Sequence, residues 1–131
     1  MLAGYPILLI YTFFVKQEMF FKTLFVPAAV FLLITLLRKA IKEQRPYDKF
    51  KTAPVIAKES KPDSMPSRHT ASAFIIATAF MSVNIYAGIS YMLIALLISL
   101  SRICAGVHYV KDVIAGAAIS LTVGIIFILI L

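Results

Sequence analysis

HTASAFIIATAFMSVNIYAGISYMLIALLISLS, residues 69–101, runs for 33 positions without an Asp, Glu, Lys or Arg. One membrane-spanning helix needs about 20 apolar residues, with about 17–25 as the working range, so this run is too long for a single crossing. Asn84, Tyr86, Gly88 and Ser90 fall near its middle. A polar, turn-compatible break at that point makes the run a tight hairpin of two helices. Inside hydrocarbon every backbone polar group must be satisfied within the segment, and helices do that. The hairpin is therefore the nucleus of an all-α membrane fold.

Three further uncharged runs surround it, at 1–15, 23–37 and 113–131. The last fits one spanning helix. The first two are short and reach span length if Lys16 and Lys22 extend their ammonium groups to the interface. The expectation is a polytopic helical bundle of about five transmembrane helices, near 1–18, 20–43, 68–85, 88–106 and 110–131. Composition agrees: 61% of residues are hydrophobic and the mean hydropathy of +0.93 is far from that of a water-soluble domain. A chain of 131 residues is one domain, 1–131. Its first run is expected to be a retained helix, not a cleaved signal: no basic residue precedes Lys16, and Pro6 and the bulky Phe13-Phe14 pair do not suit a cleavage site.

The net charge of +7 is concentrated. Nine of the 13 Lys and Arg residues lie between Arg38 and Arg68, around an expected loop at 44–66 punctuated by Pro46, Pro54, Pro62 and Pro66. A nucleic-acid groove would interleave aromatic residues with such charges on an ordinary globular core. A basic loop hung between membrane helices is suited instead to lipid headgroups and phosphate, so the expected partners are the lipid bilayer and a membrane lipid phosphate, with no nucleic acid. The single Cys104 forms no internal disulfide and suits helix packing.

Charged residues beside apolar runs are concentrated in three segments: RKAIKEQRP at 38–46, PSRH at 66–69 and SRICAGVHYVKD at 101–112. The helix order puts all three on one side of the membrane, so they can form one site. Taken singly, each has a plain structural explanation. Arg38, Lys39, Lys42 and Arg45 suit a solvated helix end, Ser67 an N-cap with His69 beside it, and His108 an interfacial histidine. Together they divide into chemical roles. Phosphoryl transfer needs cations on the equatorial oxygens, an in-line nucleophile and a proton for the leaving oxygen. The arginines meet the first need, His108 the second and His69 the third. Asp112, one helical turn after His108, lies where a carboxylate fixes an imidazole tautomer. A metal held by His69, His108 and Asp112 is the competing arrangement. The surrounding cations would repel a divalent ion, so no metal and no cofactor are expected.

These residues resemble the three-part signature of the phosphatidic acid phosphatase type 2 superfamily, which includes lipid phosphatases and vanadium haloperoxidases. That signature is Lys, six residues, Arg-Pro; then Pro-Ser-Gly-His; then Ser-Arg, five residues, His, three residues, Asp. The third part matches at Ser101, Arg102, His108 and Asp112. The first matches at Arg45-Pro46 but carries Arg38 where the family has Lys, with Lys39 one residue off. The second carries Arg68 in place of Gly. The resemblance covers residues 38–112, the catalytic core. It implies that His108 attacks phosphorus to form a phosphohistidine, that Asp112 orients it, and that His69 protonates the leaving group and then activates water. It implies phosphate binding by Arg38, Arg45, Ser67, Arg102 and the Arg68 amide, without metal. Family lipid phosphatases usually have six membrane helices with the first signature closing the third. Here it closes the second, as in a minimal version lacking the first helix or a truncated one.

The expected activity is that of a metal-independent membrane lipid phosphatase acting on a polyprenyl diphosphate or a phosphatidic acid-type monoester. The rivals are an anion or lipid-phosphate transporter using Arg38, Arg45 and Arg102, and a catalytically inactive lipid-phosphate-binding protein. The haloperoxidases are soluble and much larger than this chain. The family's usual placement puts the site on the extracytoplasmic face of the cell membrane, and that face is expected here. The charge bias points the other way, because that face would carry seven lysines, at 39, 42, 49, 51, 58, 61 and 111, against Lys16 and Lys22 inside. Five short helices leave little protein around the site, and a homodimer would supply more.

Overall fold

The computed structural model describes residues 3–41, 65–106 and 108–131. Among the described residues, five helices make up the bundle: α1 (Gly4–Phe14), α2 (Gln17–Ile41), α3 (Arg68–Val83), α4 (Ile85–Cys104) and α5 (Val110–Gly124). A π-helical segment, Ile125–Ile130, continues α5. Among the described residues, three stretches are long and apolar enough to cross a membrane, Gln17–Ile41, Ile85–Cys104 and Val110–Ile130, and α1 is a shorter apolar helix. Phe14, Leu97 and Ile130 are among the many large apolar side chains left on the outside, where lipid is the natural solvent. The chain is an integral membrane protein.

α3 is the axis of the bundle, packed against α2, α4 and α5. Its 16 residues rise about 24 Å at 1.5 Å each, short of a hydrocarbon core of about 30 Å. Neighbours shield it on most sides, so it carries Ala71, Ala73, Ala77 and Ala79 buried where a lipid-facing span would carry bulkier residues. The main core joins four elements: Leu8 of α1, Val30 and Ile34 of α2, Ala71, Ile75 and Ala79 of α3, and Ile128 of the π-helical segment.

The hairpin expected at 69–101 is present and tighter than expected. Asn84 alone separates α3 from α4. Its backbone is extended, and its side-chain oxygen accepts hydrogen bonds from Tyr86 N at 2.9 Å and Ala87 N at 3.1 Å. One residue thus ends the first helix and caps the second, so α4 starts at Ile85 and not near 88. At Gly88 the two helices nearly touch, since a Cβ there would lie 2.4 Å from Met81 Cα.

α2 contains Pro27 in its interior. Proline has no N–H, so the carbonyl of Thr23, four residues earlier, loses its helical donor. The Tyr5 hydroxyl of α1 donates to that carbonyl at 2.7 Å. Beside it the Thr12 and Thr23 hydroxyls, both fully buried, lie 3.4 Å apart. The α1–α2 hairpin is therefore stitched by polar groups, each satisfied as an apolar surround requires.

Candidate active site

Helix alternation brings the ends of α2 and α4 and the starts of α3 and α5 to one end of the bundle, as the sequence implies. The stretch between α4 and α5 turns at Gly106, whose φ of +75° is a conformation that side-chain-bearing residues rarely adopt. Its N–H donates to Ile103 O at 3.0 Å. The chain then delivers His108, 2% exposed, and Asp112, fully buried. Their side chains face each other, with His108 Nδ1 3.5 Å from Asp112 Oδ2. The same carboxylate oxygen accepts the Tyr109 N–H at 2.8 Å. Asp112 is thus fixed by a backbone donor in the first turn of α5, where the helix dipole favours negative charge. An imidazole whose Nδ1 hydrogen points at that carboxylate keeps its lone pair on Nε2.

Ser67 meets α5 from the other side. Its N–H donates to Asp112 O at 3.1 Å, and its Oγ caps α3 by accepting from Thr70 N at 3.4 Å. Contact this close depends on Gly116, one turn beyond Asp112, where a Cβ would stand 2.7 Å from Ser67 O. The second and third charged segments are therefore joined through backbone atoms. Thr70, next to the cap, is fully buried.

The cations divide by position. Arg38 ends a buried stripe on α2 that runs Thr23, Pro27, Val30, Ile34, Arg38, and it is only 4% exposed. Lys39 is exposed. The arginine that replaces the family's lysine therefore takes the inward position, and its neighbour does not. Arg102 lies in the last turn of α4 and is half-buried. Arg68 opens α3, with its guanidinium carbon 5.8 Å from the centre of the Phe31 ring. His69 is exposed, unlike His108. It lines a groove of about 690 Å³ with Tyr5, Pro6, Phe31, Arg68, Ser72, Ala73, Ile76 and Ile98. His108 and Asp112 are not among the groove's lining residues. Arg45 and most of the expected 44–66 loop lie outside the described residues. Among the described residues, no three His, Cys, Asp or Glu side chains come together as a metal site.

Three contributors were not singled out as site residues from sequence. Gly116 had a signal, a glycine inside a helical apolar run, where it costs about 1 kcal/mol relative to Ala and so needs a packing reason. Tyr109 acts through its backbone and had none. Phe31 is one aromatic among many in apolar runs, and its place under Arg68 depends on how α2 packs beside α3.

The model of the PAP2 superfamily matches residues 6–131. Among solved structures, the crystal structure of Aquifex aeolicus LpxE is similar to this chain, with 30% identity and a TM-score of 0.73 over 95% of this chain and 74% of that one. No match is found among curated proteins.

Proposed function

The chain belongs to the PAP2 superfamily, whose members include phosphatases, and from that premise we propose that it hydrolyses a lipid phosphate without a metal, through a phosphohistidine on His108. The observation that carries this reading is the buried His108–Asp112 pair, 3.5 Å apart, with Asp112 also tied through its carbonyl to Ser67. A histidine held this way is directional. In the first half-reaction Nε2 of His108 bonds to phosphorus as the bond from phosphorus to the leaving oxygen breaks, and His69 gives that oxygen a proton. In the second, His69 takes a proton from water, the water oxygen attacks phosphorus, and the bond to His108 breaks to release inorganic phosphate. Arg38, Arg45 and Arg102 balance charge on the equatorial oxygens, with the Ser67 hydroxyl and the Arg68 N–H at the start of α3.

A site at the end of a membrane bundle favours substrates that arrive within the bilayer. The groove beside His69 is mostly apolar, which suits a polyprenyl or diacylglycerol tail. We place the site on the extracytoplasmic face of the cell membrane, following the family's usual arrangement.

The test is phosphate release in detergent micelles, with chelator present, from a polyprenyl diphosphate and a phosphatidic acid in parallel. Release by the folded wild type, lost in His108→Ala, is the expected result. Lipid phosphate binding without release would favour an inactive binder. Anion flux that survives His108→Ala would favour a transporter.

A further inference from the structure

We propose that Arg68 makes this site selective for lipid diphosphates over lipid monophosphates, by holding the inner phosphate that becomes the leaving group. The proposal rests on the phosphatase reading above and concerns which lipid that site prefers. Arg68 and His69 are adjacent on the first turn of α3, and both line the groove. Every other lining residue is neutral: Tyr5, Pro6, Phe31, Ser72, Ala73, Ile76 and Ile98. Among the described residues the only acids are Glu18, in the first turn of α2 at the opposite end of the bundle, and Asp112, which faces His108. Among the described residues the guanidinium of Arg68 therefore has an aromatic face, Phe31, beside it and no carboxylate. A cation steadied by a ring in an otherwise neutral groove is suited to an anion brought by the ligand.

The position of that anion follows from in-line geometry. Nucleophile and leaving oxygen lie on opposite sides of the transferred phosphorus. His108 attacks from the buried side, and His69, on the groove wall, protonates the oxygen that leaves. The Arg68 guanidinium shares the groove with His69, so it meets the leaving group, while the Arg68 N–H faces the phosphoryl being transferred. From a lipid monophosphate the leaving group is an uncharged alcohol, and Arg68 finds no anion. From a lipid diphosphate it is a lipid monophosphate. Nε2 of His108 bonds to the outer phosphorus, the bridging P–O bond breaks, and the bridging oxygen takes the proton of His69 and stays on the inner phosphate beside Arg68. Water then releases the outer phosphate from His108. Below the cations, His69, Ser72, Ala73 and Ile76 follow helical spacing along one face of α3, a wall of about 10 Å at 1.5 Å per residue. The first carbons of the tail have room there.

The experiment compares a lipid diphosphate and a lipid monophosphate with the same tail, in mixed micelles, for wild type, Arg68→Gln and Arg68→Lys. The readout is the ratio of the two kcat/KM values, which general damage to the fold does not change. Wild type is expected to prefer the diphosphate. In Arg68→Gln the ratio falls about 10- to 100-fold, the loss expected for a charge-assisted hydrogen bond, and Arg68→Lys keeps part of it. A ratio near one in wild type, or the same ratio in wild type and Arg68→Gln, overturns the proposal while the phosphatase reading stands. Release from neither lipid by folded wild type overturns both.

Discussion

Asp112 meets Tyr109, His108 and Ser67 through two of its oxygens. Its Oδ2 accepts from Tyr109 N at 2.8 Å and faces His108 Nδ1 at 3.5 Å, while its carbonyl accepts from Ser67 N. Asp112→Asn keeps an acceptor for the Tyr109 N–H but no longer has a carboxylate to hold the imidazole tautomer. We predict that kcat falls by about 10²–10⁴, by analogy with the serine-protease aspartate, while the thermal midpoint in detergent stays within a few degrees. A fall in kcat of less than about threefold would remove Asp112 from the orienting role. At this scale the sequence was most informative. His108 and Asp112 are four residues apart on one chain segment, but the helical turn expected between them is not what joins them. His108 precedes α5 and Tyr109 is extended, so the short separation and the Tyr109 cap bring them together. The inward position of Arg38 was harder to read, because which of Arg38 and Lys39 faces the site depends on the rotation of α2 against α3.

At the scale of elements, the junction of α3 and α5 positions the chemistry. Gly116→Val would put side-chain atoms against Ser67 O, which is 2.7 Å from a Cβ at that position. Backbone cannot yield as a flexible side chain does, so the expected cost is about 1–3 kcal/mol of stability, together with loss of activity as Ser67 is pushed from Asp112. Asn84→Ala provides the contrast. It removes the cap of α4 at the far end of the bundle, costs about 1 kcal/mol and leaves kcat unchanged. Thermal unfolding in detergent with parallel kinetics distinguishes the two, and equal loss of activity in both would argue against a special role for the Gly116 contact. The five helices of the described residues were legible because charged and polar breaks divide the apolar runs, although only three stretches among them are long and apolar enough to span. Their ends were less so: α3 stops at Val83 and α4 starts at Ile85 because Asn84 caps the helix that follows it, which hydropathy does not record. The groove was not legible at all, since Tyr5, Phe31, His69 and Ile98 come from four helices and meet only through packing.

For the whole molecule, the consequence of the fold is a site gathered at one end of a membrane bundle, with Lys111 near it and Tyr86 at the other end, 79% exposed. With Cys104→Ser as background, Lys111→Cys is expected to react with a membrane-impermeant thiol reagent in intact cells, and Tyr86→Cys only after permeabilisation. The reverse pattern would put the site in the cytoplasm, as the positive-inside bias suggests. The central claim is that the site at this end of the bundle transfers phosphoryl groups with His108 as nucleophile. Rapid quenching of the protein with a lipid phosphate bearing labelled terminal phosphorus tests it most directly. The account predicts label bound to the protein in an acid-labile, base-stable form that maps to His108 and is missing from His108→Ala. Turnover without such label, or label that persists in His108→Ala, would contradict it.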